Sequence, residues 1–346
     1  MDSEFQPQTT AAQPLRVLMV TGVYPTQQRP HSGTFIKSQA DSLSEAGLHV
    51  EIVHPGPGPV LLRYLKAALE VFQKTRRGRF DIVHGHYGTW CLATLAQRRV
   101  PVVASLLGTD LLGIAANGGR YSAKAALYER ISRWLCGRVD AVIVKSEQMK
   151  AAANGNVFVI PNGVDFDTFR PLSRQAARAQ LGWNPAANYI LFANDPARTV
   201  KNYPLAVAAV ECLRRNGASA ELVVANGLPQ SRLVQYLNAS NALILSSNSE
   251  GSPNVVKEAM ACNVPVVSTD VGDVAQVIGR TEGCSVWPHD PEALARGLER
   301  ALGRAAPTTG RDDIRHLDRR VVAAQVISVY QAVLRRHSRS HRRKEL

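Results

Sequence analysis

No apolar run in this chain approaches the roughly 18 residues that a membrane-spanning helix needs, and a spanning protein is not expected. Cysteine is sparse: Cys91, Cys136, Cys212, Cys262 and Cys284 are scattered, odd in number and never spaced CxxC. That pattern argues for reduced thiols in a cytoplasm, against a disulfide framework, and against a zinc site. Acidic residues are short as well, 28 against 41 basic ones, and the net charge of +13 predicts attraction to polyanions. Charge alone leaves nucleic acid, an anionic membrane surface and phosphorylated small molecules open. Aromatic residues make up only 6% of the chain and do not interleave with basic stretches, so a strand-binding groove is not expected and nucleic acid drops out as a partner. "TGVYPTQQ" follows the first strand-like run where a dehydrogenase would carry GxGxxG, and that dinucleotide fingerprint is missing. The opening "MDSEFQPQTTAAQP" has neither the basic nor the apolar region of a secretory signal, and residues 1–14 read as a flexible leader.

What is present is an alternation. Short β-rich apolar runs, "LRVLMV" (15–20), "LHVEIVH" (48–54), "FDIVH" (80–84), "VPVVASL" (100–106), "VDAVIVKS" (139–146) and "NVFVI" (156–160), are separated by stretches amphipathic at helical spacing. The pattern breaks at "PNGVDFDTFRPLS" (161–173) and restarts with "NYILFAN" (188–194), "AELVVAN" (220–226), "NALILSS" (241–247), "VPVVSTD" (264–270) and "CSVWP" (284–288). Strand alternating with helix implies parallel, doubly wound sheets, and 346 residues leave room for two. The expectation is an α/β protein of two Rossmann-like lobes facing across a cleft, residues 15–165 and 166–317. A helix over 318–337 is expected to cross back and brace the first lobe, with 338–346 a solvated basic tail.

In open α/β sheets ligands gather outside the carboxyl ends of the strands, so the loops after strands carry the information. In "SEGSPNVVKEAM" Ser252 suits a helix N-cap and Pro253 the first helical position. The unpaired N–H groups of Asn254 to Val256 would then make an anion pocket. Glu250 and Glu258 flank it, and ionised carboxylates accept hydrogen bonds from sugar hydroxyls. On spacing alone they serve equally well as a loop charge and a helix-surface charge beside Lys257. In "NDPARTVKN" Arg198 and Lys201 stand in the loop after the second lobe's first strand, on the same sheet edge. Two cations converging with a helix N-terminus suit a diphosphate.

"YLNASNALILSSNSEGSPNVVKEAMACNVPVVSTDVGDV" resembles the donor-binding segment of glycosyltransferase family 4, the retaining group 1 enzymes of GT-B fold, in which two glutamates stand eight apart before a "PVV" strand. "VIPNGVDFDTFRP", "HSGTFIKSQADSLSEAGLHVEIV", "DIVHGHYG" and "DPARTVKN" resemble further segments of that family, so the similarity runs from about residue 15 to about 335. The resemblance implies a GT-B fold and a nucleoside-diphosphate sugar as donor, with no separate cofactor and no metal, since basic groups stabilise the leaving phosphate. It implies that Arg198, Lys201 and the amides around Gly251, Ser252, Pro253, Asn254 and Val255 hold the diphosphate. Glu258 would bond the ribose hydroxyls, Glu250 the sugar near its reacting carbon, and the departing phosphate would take the acceptor proton on the same face. Gly33 resembles the loop glycine that lets backbone approach the diphosphate, although turn geometry alone accounts for it equally.

His86 and Asp110 are acceptor-side candidates, against the plainer readings of a packed histidine and an Asx turn or helix cap. The chain departs from the family at Leu107, where a histidine is common, and at Ala193-Asn194, where Gly-Arg is common. The implied acceptor is a glycan or a lipid-linked acceptor, met in the cytoplasm or at the inner face of its membrane. An epimerase or an idle sugar-binding paralogue of the same fold is the alternative.

In "LLRYLKAALEVFQKTRRGR" the residues Leu61, Leu62, Leu65, Leu69 and Phe72 share one helical face, with Arg63, Lys66, Lys74, Arg76, Arg77 and Arg79 elsewhere or at the end. The expectation is a core-packed helix with a solvated basic side; the alternative is peripheral contact with an anionic membrane.

Overall fold

The computed structural model describes residues 14–29, 32–113 and 123–342. Six strands, β1 Arg16–Thr21, β2 His49–Val53, β3 Ile82–His86, β4 Val102–Ser105, β5 Ala141–Val144 and β6 Val157–Val159, form a parallel sheet in the order β2-β1-β3-β4-β5-β6. Five more, β7 Tyr189–Phe192, β8 Glu221–Val224, β9 Ala242–Leu245, β10 Val266–Thr269 and β11 Ser285–Trp287, form a second parallel sheet in the order β11-β10-β9-β7-β8. Strands such as β5 (AVIV) and β9 (ALIL) are buried throughout, which is why they read as continuous apolar runs: helices cover both faces of a parallel sheet. The two α/β lobes place the carboxyl ends of both sheets around one cleft. In each sheet the strand order reverses next to its first strand, at β1/β3 and β7/β9, and this is where such sheets leave a crevice.

The last helix, Arg319–Arg342, belongs to the first lobe's core. Val17, Met19, Ile82, Val103 and Ile143 pack on one side against Ile36, Ala40 and Leu43 of the helix Thr34–Glu45. They also pack against Val322, Val326, Val329, Tyr330 and Val333 of the last helix. Tyr330 is fully buried, with its hydroxyl 2.6 Å from His84 Nδ1. The chain enters this helix beside the interlobe segment, where Val164 bridges Asp318 and Arg319 pairs with Glu45 at 3.0 Å.

Two expectations require correction. The last helix does not stop at 337 but continues to Arg342, because no proline or glycine interrupts it; the remainder of the expected tail, 343–346, and residues 1–13 of the expected leader lie outside the described residues. The second concerns the helix Val60–Arg77. Its sheet-facing side is made of small side chains, Ala67, Val71 and Thr75, with the first two packed on Leu18, Val20 and Val83. Leu61, Leu62, Leu65, Leu69 and Phe72 point the other way and stand 41–70% exposed. The helix meets the sheet through alanine and valine.

Candidate active site

Between the lobes lies a cleft of about 630 Å³, lined from the first lobe by Thr34, Phe35, Leu107 and Thr109 and from the second by Asn194, Arg198, Lys201, Glu250, the 251–255 segment and Glu258. The helix Asn254–Ala261 opens on it. Its cap position is held by Pro253, not by Ser252 as expected, and no side chain caps its first turn. Ser252 is engaged elsewhere: its Oγ donates to Asp273 Oδ2 at 2.5 Å and accepts from Lys257 Nζ at 2.5 Å. Among the described residues the first-turn amides therefore have no side-chain acceptor, and Pro253, Asn254 and Val255 line the cleft.

Lys257 explains that substitution of roles. It is 1% exposed, and an ammonium so buried requires oxygens on every side. It finds Ser252 Oγ and, at 3.1 Å, the carbonyl of Asn162 in the interlobe segment. Burial pushes the Lys257 amine down and the Asp273 carboxyl up from their usual ranges, and their mutual attraction opposes both shifts. Lys145, at the end of β5, is also buried and donates to Ile160 O at 3.3 Å; burial, then the charge of Lys257, lowers it to about 7. A buried polar seam thus runs from the first lobe through the interlobe segment to the cleft helix. Sequence reasoning missed both lysines. One signal was available: Lys257 has Pro253 and Ala261 at its i±4 positions, so it lacks the acidic helical neighbour that Lys37 has in Asp41.

Glu250 sits in the loop after β9. Its Oε1 accepts from Ser247 Oγ at 2.7 Å and from Lys201 Nζ at 2.5 Å, while Oε2 has no partner among the described residues. The pair is mostly shielded, with side chains 11% and 13% exposed. Lys201 comes from a tight turn, Thr199–Lys201, after β7. Arg198 precedes it, exposed at the cleft, and makes no side-chain hydrogen bond among the described residues. Asn194, noted in the sequence only as a departure from the family pattern, is also on the cleft; its buried Nδ2 lacks a hydrogen-bond partner among the described residues. Glu258 lines the cleft half-buried, and burial raises its carboxyl to about 7, with Lys257 pulling the other way. Asn254 Oδ1 lies 3.2 Å from Asn162 Nδ2, tying the helix start to the interlobe segment.

Gly251 is where the lobes meet. A Cβ there would lie 2.4 Å from Leu107 O and 2.9 Å from Gly108 Cα, so the two backbones touch and no side chain fits between them. Gly33 adopts φ 70°, and a Cβ on it would meet Val23 O at 2.6 Å. Its role here is the turn that starts the helix Thr34–Glu45, and it is the next two residues, Thr34 and Phe35, that line the cleft.

The acceptor-side candidates do not reach the cleft. His86 is 1% exposed, its Nε2 lies 3.0 Å from Gln39 Oε1, and burial lowers it to about 3. Asp110 is fully buried and accepts backbone N–H bonds from Gly88 and Gly108 at 2.8 Å and from Leu107 at 3.0 Å. It ties the loop after β3 to the loop after β4, a structural role, but through backbone donors that precede it and not through the expected Asx turn or helix cap. Among the described residues no group of three or more His, Cys, Asp or Glu is placed to hold a metal ion.

Residues 18–168 match the family described as Glycosyltransferase Family 4, and residues 188–304 match Glycosyl transferases group 1. A putative teichuronic acid biosynthesis glycosyltransferase, TuaC of Bacillus subtilis, is 22% identical, with 83% of this chain and 89% of that protein covered. A D-inositol 3-phosphate glycosyltransferase of Mycolicibacterium gilvum is 29% identical over 69% of this chain; the match spans 62% of that protein's length. Among solved structures, sucrose-phosphate synthase from Thermosynechococcus elongatus superposes with TM-score 0.69 at 19% identity, covering 93% of this chain and 99% of that one. Anabaena HepE in complex with UDP does so with TM-score 0.65 at 16% identity, covering 92% and 100%.

Proposed function

Because the chain belongs to glycosyltransferase family 4, with the GT-B fold, we propose that it is a retaining enzyme moving a hexosyl group from a nucleoside-diphosphate sugar to a glycan or lipid-linked acceptor. The observation that carries this reading is convergence: the uncapped first turn of the helix Asn254–Ala261, Arg198, Lys201 and Glu250 all line one interlobe cleft. The donor diphosphate lies against the first-turn amides, where the positive end of the helix favours an anion. Arg198 supplies a mobile fork for the phosphate oxygens, and Lys201, steadied by Glu250, supplies a fixed charge. Together they stabilise the leaving group; a preorganised donor of this kind is typically worth about 3 kcal/mol in the transition state.

Glu250 has a second oxygen to offer. With Oε1 held by Ser247 and Lys201, Oε2 is the acceptor for a sugar hydroxyl beside the reacting carbon. Glu258, deeper in the helix, accepts from the ribose hydroxyls, and these donors favour its ionised form. Leu107 presents no titratable group, so its contribution is through backbone and shape. The acceptor enters from the first-lobe wall, past Thr34, Phe35 and Thr109. A role in polysaccharide biosynthesis accords with the similarity to TuaC, a putative teichuronic acid biosynthesis glycosyltransferase.

A panel of sugar nucleotides screened by thermal shift identifies the donor, since a ligand of the folded state stabilises it by mass action. With that donor, acceptor-dependent release of the nucleoside diphosphate separates transfer from an epimerase or an idle binder. Arg198→Ala and Glu250→Gln are expected to lower turnover about tenfold or more with little change in Tm. Near-wild-type turnover in both sinks the assignment.

A further inference from the structure

The apolar side chains that the core does not use form a continuous stripe. Leu62, Leu65, Leu69 and Phe72 follow one another at spacings of three and four along the helix Val60–Arg77, with Leu61 beside them, and each is exposed. Soluble monomers rarely leave such a row uncovered. The charges bordering the stripe have one sign: Lys66, Arg76 and Arg77 are exposed, as is Arg79 just beyond the helix. The helix's one acid, Glu70, is only half-exposed and lies 3.9 Å from Lys74. The Arg76 guanidinium stands 5.3 Å over the Phe72 ring.

The helix Ala123–Cys136 lies on the same side of the first sheet. Leu135 packs on Cys91 and Ala104, and Cys136 on Val142 and Val144, so this helix covers the sheet face that Ala67 and Val71 also cover. On its outer side Leu127 and Trp134 are 54% and 47% exposed, Arg130 and Arg133 are exposed beside them, and Arg138 lies 4.4 Å over the Trp134 ring. Leucine, phenylalanine and tryptophan outward, each bordered by arginine or lysine, is the composition of a surface that sinks side chains into a bilayer interface while its cations meet phosphate headgroups.

We propose that the first lobe docks through the exposed face of the helix Val60–Arg77, extended by Leu127 and Trp134, on a bilayer bearing anionic lipid. Charge complementarity selects this occupant over a second copy, because a symmetric pairing would set Lys66, Arg76 and Arg77 against their own equivalents. The docking helix is also fastened to the cleft. Tyr64, on its inner flank, stacks on Trp90 at 4.1 Å and donates to Thr89 at 2.7 Å. The neighbouring Gly88 is bonded to Asp110, which holds the loop of Leu107 and Thr109 at the cleft wall. A docked lobe therefore holds the acceptor wall beside the membrane, which deepens the proposed transfer to a lipid-linked acceptor and rests on that reading for its purpose alone.

The test is flotation of the full chain with vesicles of phosphatidylcholine, alone or with about one part in three of phosphatidylglycerol, at low salt. Binding to the anionic vesicles is expected to exceed the neutral ones roughly tenfold or more. Leu65→Glu with Leu69→Glu is expected to lower it at least about tenfold, and Lys66→Glu with Arg76→Glu and Arg77→Glu to abolish the lipid preference. These positions are exposed, so Tm checks that the variants remain folded. Equal recovery with both vesicles, or undiminished binding by the leucine variant, overturns the proposal. So does a dimer, seen in sedimentation, that the leucine substitutions dissolve. The thermal shift with UDP is read on the same samples: its failure counts against the transfer reading and leaves the docking result standing.

Discussion

The helices Val60–Arg77 and Asn254–Ala261 invert each other. In the first, the large apolar residues expected in the core face outward, and alanine and valine face the sheet. In the second, a Lys-Glu pair that reads as a surface charge pair is drawn inward, Lys257 to 1% exposure. Helical spacing establishes that a helix has two faces; it does not say which one meets the core. That is decided by the space left by the neighbouring sheet and by the oxygens available to a buried cation. The outward face of the first helix is free to meet a lipid surface, whereas the inward lysine of the second locks the cleft helix to the interlobe segment.

The largest expected effect is at the inward charge. Lys257→Ala leaves Asp273 buried beside Ser252 without its cation and should cost about 3–5 kcal/mol of stability, read by denaturant unfolding. A cost under about 1 kcal/mol would show that the seam is replaceable by water. Next is the first helix, tested on both faces. Val71→Ala on the sheet side should cost about 2 kcal/mol, while Leu65→Ser with Leu69→Ser should stay within about 0.5 kcal/mol. Equal losses would return the leucines to the core and break the comparison.

The smallest effect is a pH dependence. The folded-state carboxyl of Glu258 is raised to about 7, so the folded chain retains a proton that the unfolded chain gives up at the ordinary value. Its favourable contribution to folding is therefore present at low pH and lost as pH rises through 7. Donor binding has the opposite slope, because ribose hydroxyls need the ionised acceptor: UDP affinity should rise severalfold between pH 6 and 8. In Glu258→Gln that slope should flatten, as followed by titration calorimetry at both pH values.

The inner strands β3, β4, β5, β7, β9 and β10 were legible because they are buried throughout, so burial itself wrote them as apolar runs. Lys201, Arg198 and Glu250 were legible because loops after parallel strands must converge, and the helix start because proline announces it. Lys145 and Lys257 were not, since a lysine's letter is the same whether its ammonium meets water or the carbonyls of Ile160 and Asn162. The sequence marked Asn194 only as a departure from the family; that its amide is buried without a partner among the described residues is a fact of packing. His86 and Asp110 follow strands as cleft residues do, yet Gln39 and the amides of Gly88, Leu107 and Gly108 turn them inward.

The seating of Tyr330 against His84 has a consequence for biosynthesis. The first lobe is made first, but one wall of its core, Val322 to Val333, is translated after the entire second lobe. While the ribosome works through the intervening strands, the early sheet holds an apolar groove that nothing yet covers, open to chaperones or to sticking. The order of synthesis and the order of completion therefore run opposite ways: the second lobe can close first, and the first lobe becomes whole only when the last turns of helix emerge from the exit tunnel and fold back upon it.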